Sequence, residues 1–403
     1  MSWASVSIGD CVEKIASWNP SRSAGDTPFL YIDLSSVDKD KKEVDRSSVS
    51  SLLPSEAPSR ARQLVKSGDV LVATVRPNLN GVALVPEEYE GATASTGYCV
   101  LRPDHNLLDG KYLYYWVQTG AFVTDMMEKA TGANYPAVSD KVIKESKIPL
   151  EIFEEQKRIA TILDKADAIR RKRQQAIQLA DEFLRAVFLD MFGDPGRNKA
   201  NWPTIKIGQA IELGYILEVQ DGNHGNDHPK VADFVDEGYP FVAANVVRNG
   251  KVLFDKCYYL DESWIRKLRI GFAKPKDVLI SHKGSLGFTA VLDDTFDTYI
   301  FSPQTTYYRV DRSRLDPIYL KGYFDSDYFQ NLFKKEGVQS TRAYIGITRQ
   351  KELPILIPPV ESQQRFVEVA SRYAHHIERL GLERDAISEL FFSLSKKAFS
   401  GGL

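Results

Sequence analysis

The feature that most constrains the fold is a long stretch, Glu154–Met191, without a single glycine or proline. Such a stretch predicts one uninterrupted helix. At ~1.5 Å per residue it would form a rod of roughly 55 Å. Apolar residues recur in alternating steps of four and three, a heptad seam that only two arginines interrupt. The seam positions are Ile159, Leu163, Ala166, Arg170, Arg173, Ile177, Ala180, Leu184, Val187 and Met191.

A second stretch, Glu361–Phe399, repeats this pattern near the C-terminus. Each of its seam positions lies 207 positions after its counterpart (366 − 159 = 207). Two rods with matched seams predict a mutual coiled coil, and an antiparallel pairing is the simplest. Ala166 would then face Phe391, and Ala180 would face Ile377. The second seam consists of Phe366, Ala370, Tyr373, Ile377, Leu380, Arg384, Ile387, Phe391, Leu394 and Ala398.

The segment before the first rod also has a counterpart before the second. Asp69-Val70-Leu71 matches Asp277-Val278-Leu279 at an offset of 208 (277 − 69 = 208), and both read as buried strands. The Ser-rich stretch Ser35–Ser59 reads as loop, and Asp109–Ala130 has helical spacing. This is a tandem duplication of one large unit. We expect four segments: 1–150 and 193–357 as globular domains, 151–192 and 358–403 as spacer helices.

Bulk properties narrow the class of protein. A chain of 403 residues should hold two or three domains. No apolar run is long enough to span a bilayer, and the N-terminus lacks a signal-peptide pattern. Three cysteines far apart suggest neither a disulfide framework nor a metal cluster, so a cytoplasmic location is expected. The net charge of −2 does not indicate nucleic-acid binding, although a local basic patch would suffice for phosphate contacts.

Motifs of catalysis are missing from the sequence. There is no GxxxxGK[ST] phosphate loop, no GxGxxG after a strand, and no Asn-Pro-Pro-aromatic tetrad of the amino-methyltransferase kind. His224 and His228 stand four apart near Asp221 and Asp227. They lie in a loop rich in Gly and Asn and not on a helix, so a metal site is not expected. The chain therefore reads as a binder with no catalytic residues, no metal and no cofactor of its own.

Three motifs carry a resemblance to a known family. They are IPLEIFEEQKRIATILDKAD at 148–167, FLDMFGDP at 188–195 before NWP, and IPPVESQQRF at 357–366. The order of domain, long helix, domain, long helix resembles the specificity subunit of type I restriction-modification enzymes. The likeness covers nearly the whole chain. One departure is Gly381, which we expect to interrupt and bend the second helix, at a cost of about 1 kcal/mol of helix propensity relative to Ala.

The resemblance implies an α+β fold. Two mixed α/β target recognition domains would be joined by two long antiparallel coiled-coil helices in a pseudo-twofold internal repeat. Each domain would read one half of a bipartite, asymmetric site in double-stranded DNA, and the helices would set the spacing. Two modification subunits, which bind S-adenosylmethionine, would dock on the helices. Two restriction subunits would bring ATP- and Mg²⁺-dependent chemistry, and no membrane would be involved.

Polar loops beside rigid strands are the natural places for base contacts, because sequence is read by donors and acceptors at base edges. The candidates in the first domain are Thr74, Arg76, Asn78, Asn80, Asn134 and Tyr135. Those in the second domain are His282, Lys283, Ser285, Arg342 and Tyr344. Cations on the first rod could face either the DNA backbone or a partner subunit, namely Arg158, Lys165, Arg171 and Lys172.

Three other interpretations remain open at this point. The chain could be the specificity chain of a related system with a fused methyltransferase-nuclease partner. It could be a coiled-coil scaffold that never touches DNA, which the modest net charge favours and the divergent duplicated domains oppose. It could also be an enzyme with an unrecognised active site.

Overall fold

The structure is a computed structural model, and it describes residues 3–22, 26–132, 134–224, 228–337 and 343–403, without the side chains of residue 181, 375–378 and 380–385. The chain divides into two compact units. Unit 1 consists of Met1–Gln175 together with Gly381–Leu403, and unit 2 consists of Ala176–Leu380. Both long helices therefore contribute one part to each unit.

Unit 1 begins with twelve short strands, interspersed with three short helices, that lead into the first long helix. The strands are β1 Ala4–Ser7, β2 Val12–Glu13, β3 Phe29–Ile32, β4 Val37–Asp38, β5 Glu43–Val44, β6 Ser50–Leu52, β7 Ala61–Leu64, β8 Val70–Ala73, β9 Val82–Leu84, β10 Thr93–Ser95, β11 Tyr98–Pro103 and β12 Lys147–Leu150. The helices are α1 Gly110–Trp116, α2 Gly120–Lys129, α3 Asp140–Glu145 and the start of α4 Phe153–Phe192.

Unit 2 repeats this order of strands, and it has additional short helices. Its strands are β13 Thr204–Lys206, β14 Ile216–Asp221, β15 Tyr239–Val242, β16 Val247–Arg248, β17 Lys251–Val252, β18 Tyr258–Leu260, β19 Phe272–Ala273, β20 Val278–Ser281, β21 Thr289–Val291, β22 Tyr299–Phe301, β23 Thr305–Val310 and β24 Pro354–Leu356. Its helices are α5 Ile207–Glu212, α6 Glu262–Lys267, α7 Pro317–Asp325, α8 Asp327–Gly337, α9 Ile347–Gln350 and the start of α10 Val360–Ala398.

Strand order confirms the internal duplication. The four-stranded sheet β2-β11-β8-β9 of unit 1 corresponds to β14-β23-β20-β21 of unit 2, and β6-β3-β10-β7 corresponds to β18-β15-β22-β19. The pairs β1-β12 and β4-β5 have the counterparts β13-β24 and β16-β17. Even the parallel pairing of β10 with β3 recurs between β22 and β15.

The Asp-Val-Leu motif lies at the centre of each unit. In β8, Val70 and Val72 pack into one apolar cluster while Leu71 packs into another, so the strand is covered on both faces. The preceding Asp69 is 1% exposed and forms a bidentate pair with Arg102, at 2.9 and 2.7 Å. This pair satisfies a buried carboxylate and ties β8 to β11.

The same arrangement occurs in unit 2. Val278 and Ile280 of β20 face one cluster and Leu279 faces another. Asp277 and Arg309 form the corresponding bidentate pair, at 3.1 and 2.7 Å. The match in the sequence motif therefore reports a match in buried structure.

The helices run antiparallel within each unit, as the matched seams predict. In unit 1, Arg158 near the start of α4 donates to the carbonyl of Leu403, whereas the guanidinium of Arg170 lies over the ring of Phe391, 5.1 Å from its centroid. In unit 2, Phe183 contacts Tyr373, at 4.7 Å between centroids. Further along α4, Phe188 contacts Phe366, earlier in α10, at 5.5 Å.

The seam positions are correspondingly buried or half-buried in α4, and so are the seven that the structure describes in α10. Ala166 packs into the cluster that contains Phe391, as expected. The predicted contact between Ala180 and Ile377 cannot be described, because the side chain of Ile377 lies outside the described residues. The side chains of Leu380 and Arg384 lie outside them as well.

Two local predictions were wrong, and a third was confirmed with a break. The stretch Ser35–Ser59 is not a loop, because it holds β4, β5 and β6 between short 3-10 turns. The stretch Asp109–Ala130 is helical as predicted, but in two helices, since the Thr119 hydroxyl accepts from the amide of Phe122 and starts α2 as a new helix. Gly381 does not interrupt α10, which runs from Val360 to Ala398.

A buried glutamine fixes the first turn of each long helix. Gln156 is 0% exposed, and its Oε1 accepts from the amide of Asp109 at 2.9 Å while its Nε2 donates to the carbonyls of Leu107 and Glu151 at 3.0 and 2.8 Å. Asp109 in turn caps α1. The glutamine thus ties the long helix to the domain before it.

Gln363 makes the same three bonds in unit 2. Its Oε1 accepts from the amide of Asp316, and its Nε2 donates to the carbonyls of Arg314 and Pro358. The recurrence of Glu-x-Gln at both helix entries therefore has a structural reason.

We expect Gln156→Leu to destabilise unit 1 by about 2–4 kcal/mol, because it leaves one amide and two carbonyls without their partner. Urea unfolding measures the loss, with Gln175→Leu, at an exposed position of the same helix, as the control. Equal stability of the two variants would contradict the role given to Gln156.

Candidate nucleic-acid interface

The two polar loops nominated in the first domain lie side by side. The loop Thr74–Gly81 follows β8, and the loop Thr131–Ser139 joins α2 to α3. The amide of Arg76 donates to the carbonyl of Pro136 at 2.7 Å, and the amide of Val138 donates to the carbonyl of Thr74 at 2.9 Å. We call these two segments the unit 1 loop pair.

Two nominated side chains meet at the surface of this loop pair. The guanidinium of Arg76 lies over the ring of Tyr135, 4.6 Å from its centroid. Tyr135 is 66% exposed, and Arg76 is exposed as well. The ring orients the guanidinium without using its five N–H donors, which suits bidentate contact with a guanine or a phosphate.

The backbone at Arg76 is strained. Its φ of 53° and ψ of 60° place it in the left-handed region, which residues other than glycine, Asn and Asp rarely occupy. It precedes Pro77, which begins a short 3-10 turn that ends at Leu79. Strained residues of this kind cluster at functional sites, where surrounding contacts hold them in place.

The other candidate residues of unit 1 fall into two groups: those exposed at the surface and those that support the loop from inside. Asn78 and Asn134 are exposed and remain candidates for base contact. Thr74 is 9% exposed, and its hydroxyl donates to the carbonyl of Gly97 at 2.9 Å, so it supports the loop from inside and is not placed to touch a base. Asn80 is half-buried, and its amide donates to the carbonyl of Val117 at 3.2 Å. Both side chains therefore support the loop, and their contact with DNA stays a prediction.

An equivalent loop pair exists in unit 2. The amide of Gly284 donates to the carbonyl of Ala343 at 3.2 Å, and the amide of Ile345 donates to the carbonyl of His282 at 3.0 Å. We call residues 282–288 with residues 343–346 the unit 2 loop pair. The backbone bonds match those of unit 1, although the side chains differ.

A cation and an aromatic ring lie near each other in this loop pair as well. The exposed Lys283 ammonium is 5.9 Å from the ring centroid of Tyr344, which is itself exposed. Ser285 is half-buried at the same loop. Arg342 lies outside the described residues. Lys283, Tyr344 and Ser285 therefore remain candidates for DNA contact.

His282 corresponds to Thr74 and is likewise internal. It is 0% exposed, and its Nδ1 is 2.6 Å from the hydroxyl of Thr306. Its Nε2 has no hydrogen-bond partner and lies 3.9 Å from a carboxylate oxygen of Asp221. Burial lowers the pKa of His282 to about 4, so the imidazole is neutral near pH 7. His282 supports the loop and is not placed to contact DNA.

The nominated cations on α4 fall into two groups. Lys165 and Lys172 are exposed and remain candidates for contact with a partner or with DNA. Arg158 is exposed but pairs with Glu155, at 2.6 Å. Arg171 bonds to Asp167 at 2.6 Å and to Glu43 at 2.8 Å, so it joins α4 to the β4–β5 hairpin. Arg171 thus has a structural role, and its contact with a partner or with DNA stays a prediction.

The loop that carries His224 and His228 was considered as a metal site and not expected to be one. His224 Nε2 lies 2.8 Å from Asp221, and Asp227 lies outside the described residues. In the part of the chain that the structure describes, no three His, Cys, Asp or Glu side chains are arranged to hold a metal ion. Over the same residues, no helix is long and apolar enough to cross a bilayer.

One contact at the unit 1 loop pair was missed by the sequence. Lys42, in the turn of the β4–β5 hairpin, donates from its ammonium to the carbonyl of Asn80 and lies 3.5 Å from the side-chain oxygen of Asn80. The hairpin lies within the stretch expected to be loop, so no pattern pointed to it. The internal repeat contained one clue to this contact. The corresponding residue of unit 2 is Gly250, so the lysine side chain is particular to unit 1.

Comparison with known sequences places this geometry in context. Residues 2–179 match the family described as the type I restriction modification DNA specificity domain. Over 307 residues the chain is 22% identical to the type I restriction enzyme MjaVIII specificity subunit of Methanocaldococcus jannaschii, an alignment that covers 72% of this chain and 69% of that protein. It is also 22% identical over 172 residues to the HindI specificity subunit of Haemophilus influenzae, covering 41% of this chain and 36% of that one.

Solved structures show a similar fold. A chain from a study of complex assembly and conformational transition of the type I R-M system matches with a TM-score of 0.54 and 23% identity, covering 100% of this chain and 98% of that chain. The type I restriction-modification S subunit from M. genitalium matches with a TM-score of 0.54 and 14% identity, covering 98% and 96%. At these identities the likeness concerns the fold alone.

The buried His282 predicts acid sensitivity. Its folded pKa of about 4 lies below the ordinary value, so between about pH 6.5 and 4 the unfolded chain binds a proton that the folded chain does not. The free energy of unfolding is therefore unaffected by His282 above this window. It decreases by at most about 3 kcal/mol as the pH falls through the window.

We expect His282→Thr, which introduces the residue found at the corresponding position 74, to flatten this loss. Urea unfolding of both proteins at several pH values between 7 and 4 measures it, with substitution of the exposed His105 by Thr as the control. An unchanged pH slope in His282→Thr would show that the acid sensitivity arises elsewhere.

Proposed function

We propose that this chain is a specificity subunit of a type I restriction-modification enzyme and reads a bipartite DNA sequence for it, which the family match over residues 2–179 and the likeness to the MjaVIII specificity subunit support. Each unit reads one half of an asymmetric site in double-stranded DNA. The long helices set the gap between the two halves. The chain itself performs no catalysis.

One observation carries this proposal. Two units of the same strand order present the same pair of loops, joined by equivalent backbone bonds, but with different exposed side chains. Arg76 with Tyr135 occupies this place in unit 1, and Lys283 with Tyr344 occupies it in unit 2. A constant scaffold with variable loops is what independent reading of two different half-sites requires.

The loop pairs supply the chemistry of recognition. Arg76 offers a planar fork of donors that fits the O6 and N7 acceptors of guanine, and Asn78 can pair with adenine. Lys283 offers a point charge for a phosphate or a guanine acceptor. The buried pairs behind each loop, Asp69 with Arg102 and Asp277 with Arg309, keep the scaffold rigid, so that little freedom is lost on binding.

The partners follow from the family. We propose that two modification subunits dock on the long helices, where Lys165 and Lys172 are exposed, and that two restriction subunits complete the complex. S-adenosylmethionine, ATP and Mg²⁺ would bind those subunits and not this chain. The complex would act in the cytoplasm, where its DNA substrate lies.

A methylome tests the function. The chain is co-expressed with its cognate modification subunit in a host without DNA methylation, and N6-methyladenine is mapped by single-molecule sequencing. We expect a split, asymmetric motif of two short half-sites around a fixed gap. A stable complex that methylates no motif would instead favour the scaffold interpretation, and one unbroken palindrome would mean that the units do not read DNA independently.

Arg76→Ala is expected to relax discrimination at one base pair of one half-site by about 1–3 kcal/mol and to leave the other half-site unchanged. The methylome of the variant and competition binding with single-base variants of the motif measure this. Arg46→Ala removes an exposed arginine of the same unit and serves as the control. An unchanged motif with unchanged competition would exclude Arg76 as a reading residue.

A further inference from the structure

Three residues around the unit 1 loop pair share an unusual backbone conformation. Lys42, Arg76 and Asn80 have φ values of 56°, 53° and 46°, in the left-handed region. Their counterparts in unit 2 are Gly250, Gly284 and Gly287, with φ values of 73°, 80° and 85°.

The correspondence follows from the duplicated structure. Lys42 and Gly250 each directly precede the second strand of the small hairpin, β5 or β17. The amides of Arg76 and Gly284 make equivalent bonds to the second loop. The backbone shape is therefore common to both units, and glycine would adopt it without strain. Unit 1 retains a side chain at each place, which indicates that each side chain has a task.

Arg76 and Asn80 have visible tasks. Arg76 is presented over Tyr135, and Asn80 connects the loop to Val117. The task of Lys42 is less evident, because its side chain is half-buried and is directed to the loop. Its ammonium donates to the carbonyl of Asn80, at the end of the 3-10 turn that Arg76 begins.

The hairpin that carries Lys42 is firmly attached on its other side. The carbonyl of Lys42 accepts from the hydroxyl of Tyr114 at 3.0 Å, and the neighbouring Glu43 pairs with Arg171 of α4 at 2.8 Å. Lys42 is thus a bridge from a fixed support to the end of the recognition loop.

Two features of Lys42 oppose folding. One is its left-handed backbone. The other is its partly buried charge: burial lowers the pKa of the Lys42 ammonium to about 8, while Asp40 and Asp38 raise it and Arg170 and Lys39 lower it. The reverse exchange, Lys276 in place of Gly68, lies in a turn where the lysine side chain is 40% exposed and pairs with Asp294.

We propose that Lys42 is a positioning residue for DNA reading by unit 1: its ammonium holds Asn80, and through it the Pro77–Leu79 turn, so that Arg76 is presented in one conformation. The inference rests on the proposed function. It assigns to unit 1 a support that unit 2 does not share, because Gly250 has no side chain.

The test uses Lys42→Gly in the complex with the modification subunit. The control is Lys41→Gly in the same turn, where the side chain is 63% exposed. Binding is measured on duplexes that carry the motif from the wild-type methylome and on duplexes with single-base changes in either half. We expect Lys42→Gly to lose about tenfold discrimination in one half only. Its thermal midpoint should stay close to that of the wild type, because relief of the backbone strain and of the partly buried charge offsets the lost bond and the greater freedom of the unfolded chain.

A pH profile separates positioning from packing. Below pH 8 the ammonium is charged and the bond to Asn80 is present, and above it the charge is lost. Discrimination by the wild type should therefore fall in the same half between pH 7 and 9 and stay constant in the other half. Lys42→Gly should show no such dependence.

The outcomes are distinguishable. Wild-type discrimination in both halves together with unchanged discrimination in Lys42→Gly would overturn the role of Lys42 alone. A lower thermal midpoint with equal losses in both halves would make Lys42 a structural residue. A wild-type complex that methylates no bipartite motif would instead overturn the proposed function itself.

Discussion

The connection on which each unit depends is the buried glutamine at the start of a long helix. Gln156 and Gln363 are themselves buried, and each joins three backbone groups of the segments around it. The bond from Asp109 or Asp316 carries the cap of a domain helix, so the direction of the long helix and the position of the domain are fixed by one side chain. A polar group serves better here than an apolar one, because hydrogen bonds specify both distance and direction.

Rigidity behind the loops is what allows the loops to differ. Strands β8 and β20 are covered on both faces, and each is tied to its neighbour by a buried carboxylate–guanidinium pair. Removing either partner would leave an uncompensated buried charge, which is strongly destabilising. The loop that follows each strand begins at a buried residue, Thr74 or His282, and reaches the surface immediately afterwards. A change of exposed residue there alters the donors offered to DNA and leaves the core untouched.

Much of this architecture could be predicted from the sequence because the chain contains its own comparison. The 207-residue offset gave the repeat, the seams gave the antiparallel helices, and the Asp-Val-Leu motif gave the central strands. What failed was a feature without periodicity, since β4 and β5 are two-residue strands in a polar stretch. The break between α1 and α2 was also missed, because it consists of three residues that end in the capping Thr119. Burial of Thr74 and His282 was missed for another reason. A polar residue at a strand end can turn to either side, and only the surrounding contacts, such as the carbonyl of Gly97 or the hydroxyl of Thr306, decide which.

The two units also show that the same backbone conformation can be formed by residues for which it is strained and by glycine, for which it is not. Where unit 2 has glycine in three left-handed positions, unit 1 has Lys42, Arg76 and Asn80. Glycine removes the strain but leaves the unfolded chain more freedom, so neither solution is better on backbone grounds alone. The difference lies in what the side chains add, which is one exposed guanidinium and two groups that hold it from below. Unit 2 instead places its cation one position earlier, at Lys283, on a loop held by Gln330 through the carbonyl of Gly287. The same scaffold therefore supports its recognition loop from different neighbours, which permits the two loops to change independently of each other.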